Sequence, residues 1–274
     1  MSLSRPVLLG LAVAMLVAVA AGGAWWVLAP GAGWDDALPL PPDIPRLVDA
    51  PEYERCLAQL REDPEGARAL AEAWEAAGGG EGARHCAALA LIPLGEPARA
   101  APLLETIARA STAGAAARAA VFGQAGQAWM TAGEAARAVA AMDAALALAP
   151  EDPDLLVDRA IAAAALGRLD QALADLTRAL ALDPERAEGW VLRAATLRRL
   201  ERIEPALADV GRALQLEPGN AEALLERGIL RQLRGDEAGA RADWERALEL
   251  APDSATADLA LQNLALSEAG PLRR

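Results

Sequence analysis

Between residues 119 and 252 apolar side chains recur at steps of three and four residues, in blocks that stop and restart on a fixed schedule. That is the pattern of amphipathic helices. One block opens with an acidic first turn at Asp152-Pro153-Asp154 and runs to Leu166, where Gly167 is free to take the positive φ that ends a helix. The next runs from Leu169 to Leu182, with Ala172, Leu176 and Ala179 on one face, because three- and four-residue steps stack along a helix. The tripeptides Leu148-Ala149-Pro150, Leu182-Asp183-Pro184, Leu216-Glu217-Pro218 and Leu250-Ala251-Pro252 punctuate the blocks, each proline 34 residues after the one before it. The following two periods repeat the plan through Ala194, Ala206, Val210 and Ala213, then Gly228, Gly235, Ala240, Trp244 and Ala247. A fixed period of this length predicts a solenoid of two-helix units. Small residues sit where the helices of one hairpin meet, and larger ones (Leu156, Trp190, Leu224) fill the space between neighbouring hairpins.

An earlier period fits the same plan through Phe122, Gly126, Trp129, Gly133, Ala138, Met142, Ala145 and Pro150. On these copies the chain resembles the tetratricopeptide repeat (TPR) family over residues 119–252, about half of its length. The resemblance implies an all-α fold, a right-handed α-solenoid of helix-turn-helix hairpins, with units at 119–152, 153–186, 187–220 and 221–252. It also implies that first helices line a concave groove for partner peptides. Carried onto this chain, the groove includes Val157, Ile161, Val191, Ala195, Leu225 and Ile229, flanked by Asp158, Glu226, Arg198 and Arg199. The competing reading is that several of these residues pack against the neighbouring first helix. The lysine and asparagine with which the family clamps acidic C-termini are missing from the groove, which argues against that ligand.

Outside the regular units the pattern changes. Pro51–Arg61, Glu65–Ala77, Glu81–Leu94 and Pro97–Ala110 read as helices, so residues 51–118 are expected to hold one or two degenerate repeats. Residues 253–274 supply a capping helix, from Asp253 to about Ser267, and a tail; a stack needs such a cap over its last apolar face. At the other end, Val7–Ala29 is a 23-residue run without charge, long enough to span a bilayer. Arg5 precedes it and Asp35 and Asp36 follow it, which places the N-terminus in the cytoplasm and exports the repeats. A signal peptide cleaved after Ala18-Val19-Ala20 is the alternative, and Trp25-Trp26 at the far end of the run favours an uncleaved anchor. Residues 30–50, rich in proline, form a semi-rigid spacer. The expected setting is a bacterial inner membrane with the repeats in the periplasm, or a soluble periplasmic protein after cleavage.

That setting gives the cysteines meaning. Cys56 and Cys86 fall on what read as first helices of adjacent hairpins, and an exported location permits a disulfide between them; two buried free thiols are the alternative. Arg159, Arg193 and Arg227 each precede Asp175, Asp209 and Asp243 by 16 residues, while the first regular unit has Ala125 and Ala141 at those places. A pair present or absent as a unit reads as an ion pair within the hairpin, against the alternative of an arginine ladder for a ligand. His85 is the one histidine and adjoins Cys86, but neighbouring helical residues point about 100° apart, a poor arrangement for proton transfer. A surface or half-buried structural role is expected for it, and no metal site.

Composition narrows the function. All 26 basic residues are arginine, so no Schiff-base lysine and no phosphate loop ending in Gly-Lys exists. Net charge is −13, which disfavours nucleic acid. No carboxylate pair or nucleophile constellation stands out, and no cofactor is implied. The expectation is a non-enzymatic, membrane-tethered adaptor or assembly factor of the cell envelope, binding a peptide or helix of another protein. An accessory subunit of an envelope enzyme complex is the second reading. Self-association through an apolar outer face on the last helix (Ala257, Leu261, Leu264) is the third.

Overall fold

The computed structural model describes residues 46–269, so the segment expected to be a membrane anchor or signal peptide (7–29) and most of the expected spacer (30–50) lie outside the described residues. Thirteen helices and no strand occur among the described residues: α1 Pro51–Gln59, α2 Pro64–Ala76, α3 Gly80–Ala90, α4 Pro97–Ala110, α5 Ala115–Thr131, α6 Ala135–Leu148, α7 Pro153–Ala165, α8 Leu169–Leu182, α9 Ala187–Arg199, α10 Ile203–Leu216, α11 Ala221–Leu233, α12 Glu237–Leu250 and α13 Ala255–Ala269. None of them is long and apolar enough to cross a membrane.

Local chemistry sets the helix ends. Proline occupies the first turn of α1, α2, α4 and α7, where its missing N–H costs nothing. Asp63, Asp152, Asn220 and Asp236 cap α2, α7, α11 and α12 with side-chain oxygens that accept from free backbone N–H groups. Inside three regular hairpins the turn is a glycine at positive φ: Gly133 (77°), Gly167 (74°) and Gly235 (81°). The fourth hairpin has Glu201 there, at φ 59°.

Consecutive helices pack antiparallel as hairpins α5/α6, α7/α8, α9/α10 and α11/α12, and α13 closes the stack against α11 and α12. Side-chain size explains the close approach. Gly126 faces Met142 and Gly228 faces Trp244, and a Cβ on Gly228 would lie 2.3 Å from the indole nitrogen. The smallest residue in the first helix thus meets the largest in the second, and both Met142 and Trp244 are fully buried. The first helices α5, α7, α9 and α11 touch one another in sequence while the second helices stand further apart, so the stack curves toward its first-helix face.

Two boundaries differ from the sequence reading. Residue 119, the expected start of the first regular unit, falls inside α5, which begins at Ala115 and spans 17 residues against 13 in α7, α9 and α11. Residues 115–120 are all alanine except Arg118, so nothing stops the helix before Gly114. The helix expected over 81–94 ends at Ala90 and gives way to turns through Gly95.

Candidate partner-binding face

Each regular first helix commits one side to its hairpin partner. In α7 that side carries Leu156, Ala160 and Ala163, and helical geometry puts Asp154, Asp158, Ile161 and Ala165 opposite. Adding 34 twice gives Glu188, Leu192, Ala195 and Arg199 on α9, and Glu222, Glu226, Ile229 and Leu233 on α11. These side chains form the inner, concave face.

The residues expected to line a groove separate into two groups here. Val157, Val191, Ala195 and Leu225 are buried and serve packing, which corrects the reading of a continuous apolar strip. Ile161 and Ile229 keep partial exposure. The flanking charges are tied across neighbouring first helices. Arg198 Nε donates to Glu226 Oε1 at 2.6 Å, joining α9 to α11, and Arg199 Nη1 donates to the Ala164 carbonyl at 2.9 Å, joining α9 to α7. Gln127 Nε2 donates to Asp158 Oδ2 at 2.9 Å, joining α5 to α7. Burial is the largest influence on Asp158 and pushes its carboxyl up to about 7, against the Gln127 hydrogen bond. Burial also raises Glu226, partly offset by Arg198. Arg198, Arg199, Asp158 and Glu226 therefore hold the face together as much as they border it.

Missed by the sequence reading was the row Asp154, Glu188 and Glu222, one exposed carboxylate in the first turn of α7, α9 and α11, 34 residues apart, with no counterpart in α5. The recurrence was a usable signal. It was hidden because acids are ordinary in first turns, where the helix dipole favours them.

The other singled-out residues are structural. Arg159 donates bidentately to Asp175 (2.9 and 2.7 Å) and also reaches Asp143. Arg193 holds Asp209 at 2.7 and 2.8 Å, and Arg227 holds Asp243 at 2.9 and 2.6 Å, with Arg231 as a second donor to Asp243. All three aspartates are buried between the helices of a hairpin and cannot reach a ligand in the groove. Cys56 and Cys86 form a disulfide between α1 and α3, Cα atoms 6.3 Å apart.

His85 is 3 % exposed, which corrects the expectation of a surface or half-buried side chain. Its Nε2 lies 2.7 Å from Gln124 Oε1, an acceptor, so Nε2 carries the proton and Nδ1 accepts from the Tyr53 hydroxyl. Burial drives its pKa down to about 4. The ring ties α1, α3 and α5 together.

On the outer side, a cleft of about 590 Å³ lies between α2, α3 and α4. Arginines (Arg68, Arg84, Arg99) alternate with glutamates around its apolar floor, so it favours neither charge. Among the described residues no His, Cys, Asp or Glu grouping could hold a metal ion.

A family model for the tetratricopeptide repeat matches residues 126–196 and 192–265. No curated protein matches the chain. Solved structures do. YrrB, a TPR protein with an unusual peptide-binding site, is 18% identical with TM-score 0.51, over 78% of this chain and 97% of that one. A thermophilic TPR protein of Thermus thermophilus, TTC0263, is 22% identical with TM-score 0.53, over 68% and 97%. A chain of the APC/C hetero-tetramer Cut9-Hcn1 is 18% identical with TM-score 0.61; the match covers 78% of this chain and 42% of that one. Identities this low speak for the fold alone.

Proposed function

The chain belongs to the tetratricopeptide repeat family, and from that premise we propose that it is a membrane-tethered scaffold whose concave face docks a segment of another protein in the periplasm. One observation carries the docking claim. Helices α7, α9 and α11 expose side chains in the same register on one continuous face, while their other sides are spent on packing. The apolar run over 7–29 supports a bacterial inner-membrane anchor, and a buried disulfide supports an oxidising compartment. The likeness to YrrB supports a peptide as ligand.

A photo-crosslinking residue at Ile229 is expected to capture a discrete cell-envelope protein in living cells, and the same residue at Gln215, on a second helix, is expected not to. Equal capture from both positions overturns the docking face. Alkaline phosphatase fused after Arg274 is expected to be active; an inactive fusion overturns the periplasmic placement.

A second reading has its own observation. On α13, Leu261 and Leu266 are 49 and 63 % exposed, whereas Ala257 is buried and Leu264 packs inward. These two leucines suit end-to-end association of two copies. Light scattering of the full chain in detergent, with and without Leu261→Asn and Leu266→Asn, decides it: a wild-type monomer sinks the idea.

A further inference from the structure

The concave face has an apolar floor and an edge of one charge. Ile161, Leu192 and Ile229 are partly exposed along α7, α9 and α11. Beside them run Asp154, Glu188 and Glu222, all exposed. Asp154 is held by Arg186, which also reaches Asp183 at 3.5 Å. Glu188 and Glu222 form no ion pair among the described residues, although Asp158 and Glu226 on the same face both have partners. Although the Glu222 side chain reaches solvent, the surrounding helices partly desolvate its carboxyl and, with nearby Glu188, hold it above the usual range. The helix dipole favours an acid in any first turn, but it does not dictate that the acids face inward in one register.

Spacing selects the shape of the partner. Packed neighbouring helices lie about 8–10 Å apart, so the acidic row repeats at about that interval. A polyproline-type segment has three residues per turn and rises about 3.1 Å per residue, so every third side chain falls on the same side after about 9 Å. Its backbone needs no strand edge, and no strand edge is offered by the described residues. Along each helix the floor residue follows the acid, Leu192 about one turn after Glu188 and Ile229 about two turns after Glu222, with Glu226, held by Arg198, lying buried between Glu222 and Ile229.

We propose that the concave face takes an extended, polyproline-type segment carrying arginine or lysine at every third residue, with its basic side chains over Glu188 and Glu222 and its apolar residues on Leu192 and Ile229. This rests on the concave face being the docking surface.

The test uses the full chain in detergent and fluorescence anisotropy. The probe is a labelled peptide of three Arg-Pro-Pro units. A second peptide has the same composition with its arginines contiguous, and a third has glutamate in place of arginine. The first is expected to bind about tenfold more tightly than the second, and the third not at all. Exposed ion pairs contribute modestly, so Glu188→Gln with Glu222→Gln is expected to weaken the first peptide by about tenfold. Glu201→Gln with Glu237→Gln, exposed carboxylates outside the groove, is expected to leave binding unchanged. Equal binding of the two arginine peptides overturns the proposal. So does indifference to the Glu188 and Glu222 changes, since the overall charge of −13 would then account for the attraction. Preference for an Ala-rich helical peptide with arginines seven residues apart overturns the extended shape. If the Ile229 crosslink captures a partner whose contact segment lacks basic residues, the docking face stands and this inference falls.

Discussion

The regular hairpins from α5 to α12 and the stretch from α1 to α4 reach the same all-helical stack by different means. In the regular part each hairpin is held by a recurring local pairing: Gly126 with Met142, Ala160 with Leu176, Ala194 with Val210, Gly228 with Trp244. Three of the four add a bidentate arginine–aspartate pair. The earlier stretch has neither device. It relies on unique links between distant residues: the Cys56–Cys86 disulfide and the Tyr53–His85–Gln124 chain of hydrogen bonds. Recurrence supplies stability hairpin by hairpin, because each unit touches only its neighbours. Where recurrence fails, cross-links hold one helix to the next but one.

The largest effect that sharpens this contrast is Trp244→Ala. The indole is fully buried against Gly228, so its removal opens a cavity and is expected to cost about 3–5 kcal/mol. Hydrogen exchange should show the loss in α11 to α13 and leave α1 to α4 protected. A uniform loss along the chain would mean that the array unfolds as one unit, against the hairpin-by-hairpin picture. Next in size is the disulfide. Its sequence separation of 30 predicts a stabilisation of about 3–4 kcal/mol in the chain-entropy model. Cys56→Ala with Cys86→Ala is expected to lower protection in α1 to α3 by that amount and to leave α7 to α12 unchanged.

Acid probes the other link. His85 has its pKa lowered from 6.5 to about 4 in the folded chain, so the unfolded chain binds the proton more tightly between those values. The contribution is complete above about pH 6.5 and is lost as the pH falls toward 4, in all roughly 3 kcal/mol. Asp158, raised to about 7, runs the opposite way: it loses stability as the pH rises from the ordinary carboxylate range through 7. The two lie in different parts of the stack, which separates them. Exchange in α1 and α3 is expected to quicken on going from pH 7 to pH 5 after correction for intrinsic rates, and His85→Gln to remove that dependence. A variant that keeps the wild-type pH profile would disprove the assignment.

The contrast also decides what could be read from the sequence. Helix α8 begins and ends where its apolar periodicity does, because three in-register copies check one another. The Arg159–Asp175 spacing was readable for the same reason. Val157, Val191 and Leu225 were misplaced because a first helix has two apolar sides, one toward its hairpin partner and one toward the next hairpin, and periodicity does not say which side reaches solvent. The polar chain through His85 left no trace in the sequence: its members lie 32 and 39 residues apart, in helices without a shared period.

The smallest expected effect tests how far one copy informs another. Gly133, Gly167 and Gly235 take positive φ at the hairpin turn, and in the remaining hairpin Glu201 does so at 59°. Left-handed backbone costs a residue with a Cβ roughly 1 kcal/mol or more, while glycine adopts it freely. The Glu201 side chain is exposed, so its removal forfeits no packing. Glycine there also loosens the unfolded chain, which offsets part of the gain. Glu201→Gly is therefore expected to stabilise by somewhat under 1 kcal/mol, read as slower exchange in α9 and α10. The same change in α1–α4 has no counterpart, since no non-glycine residue there takes positive φ. A destabilised variant would mean that the turn at Glu201 is set by contacts peculiar to that hairpin, and that even the regular half is less interchangeable than its spacing suggests.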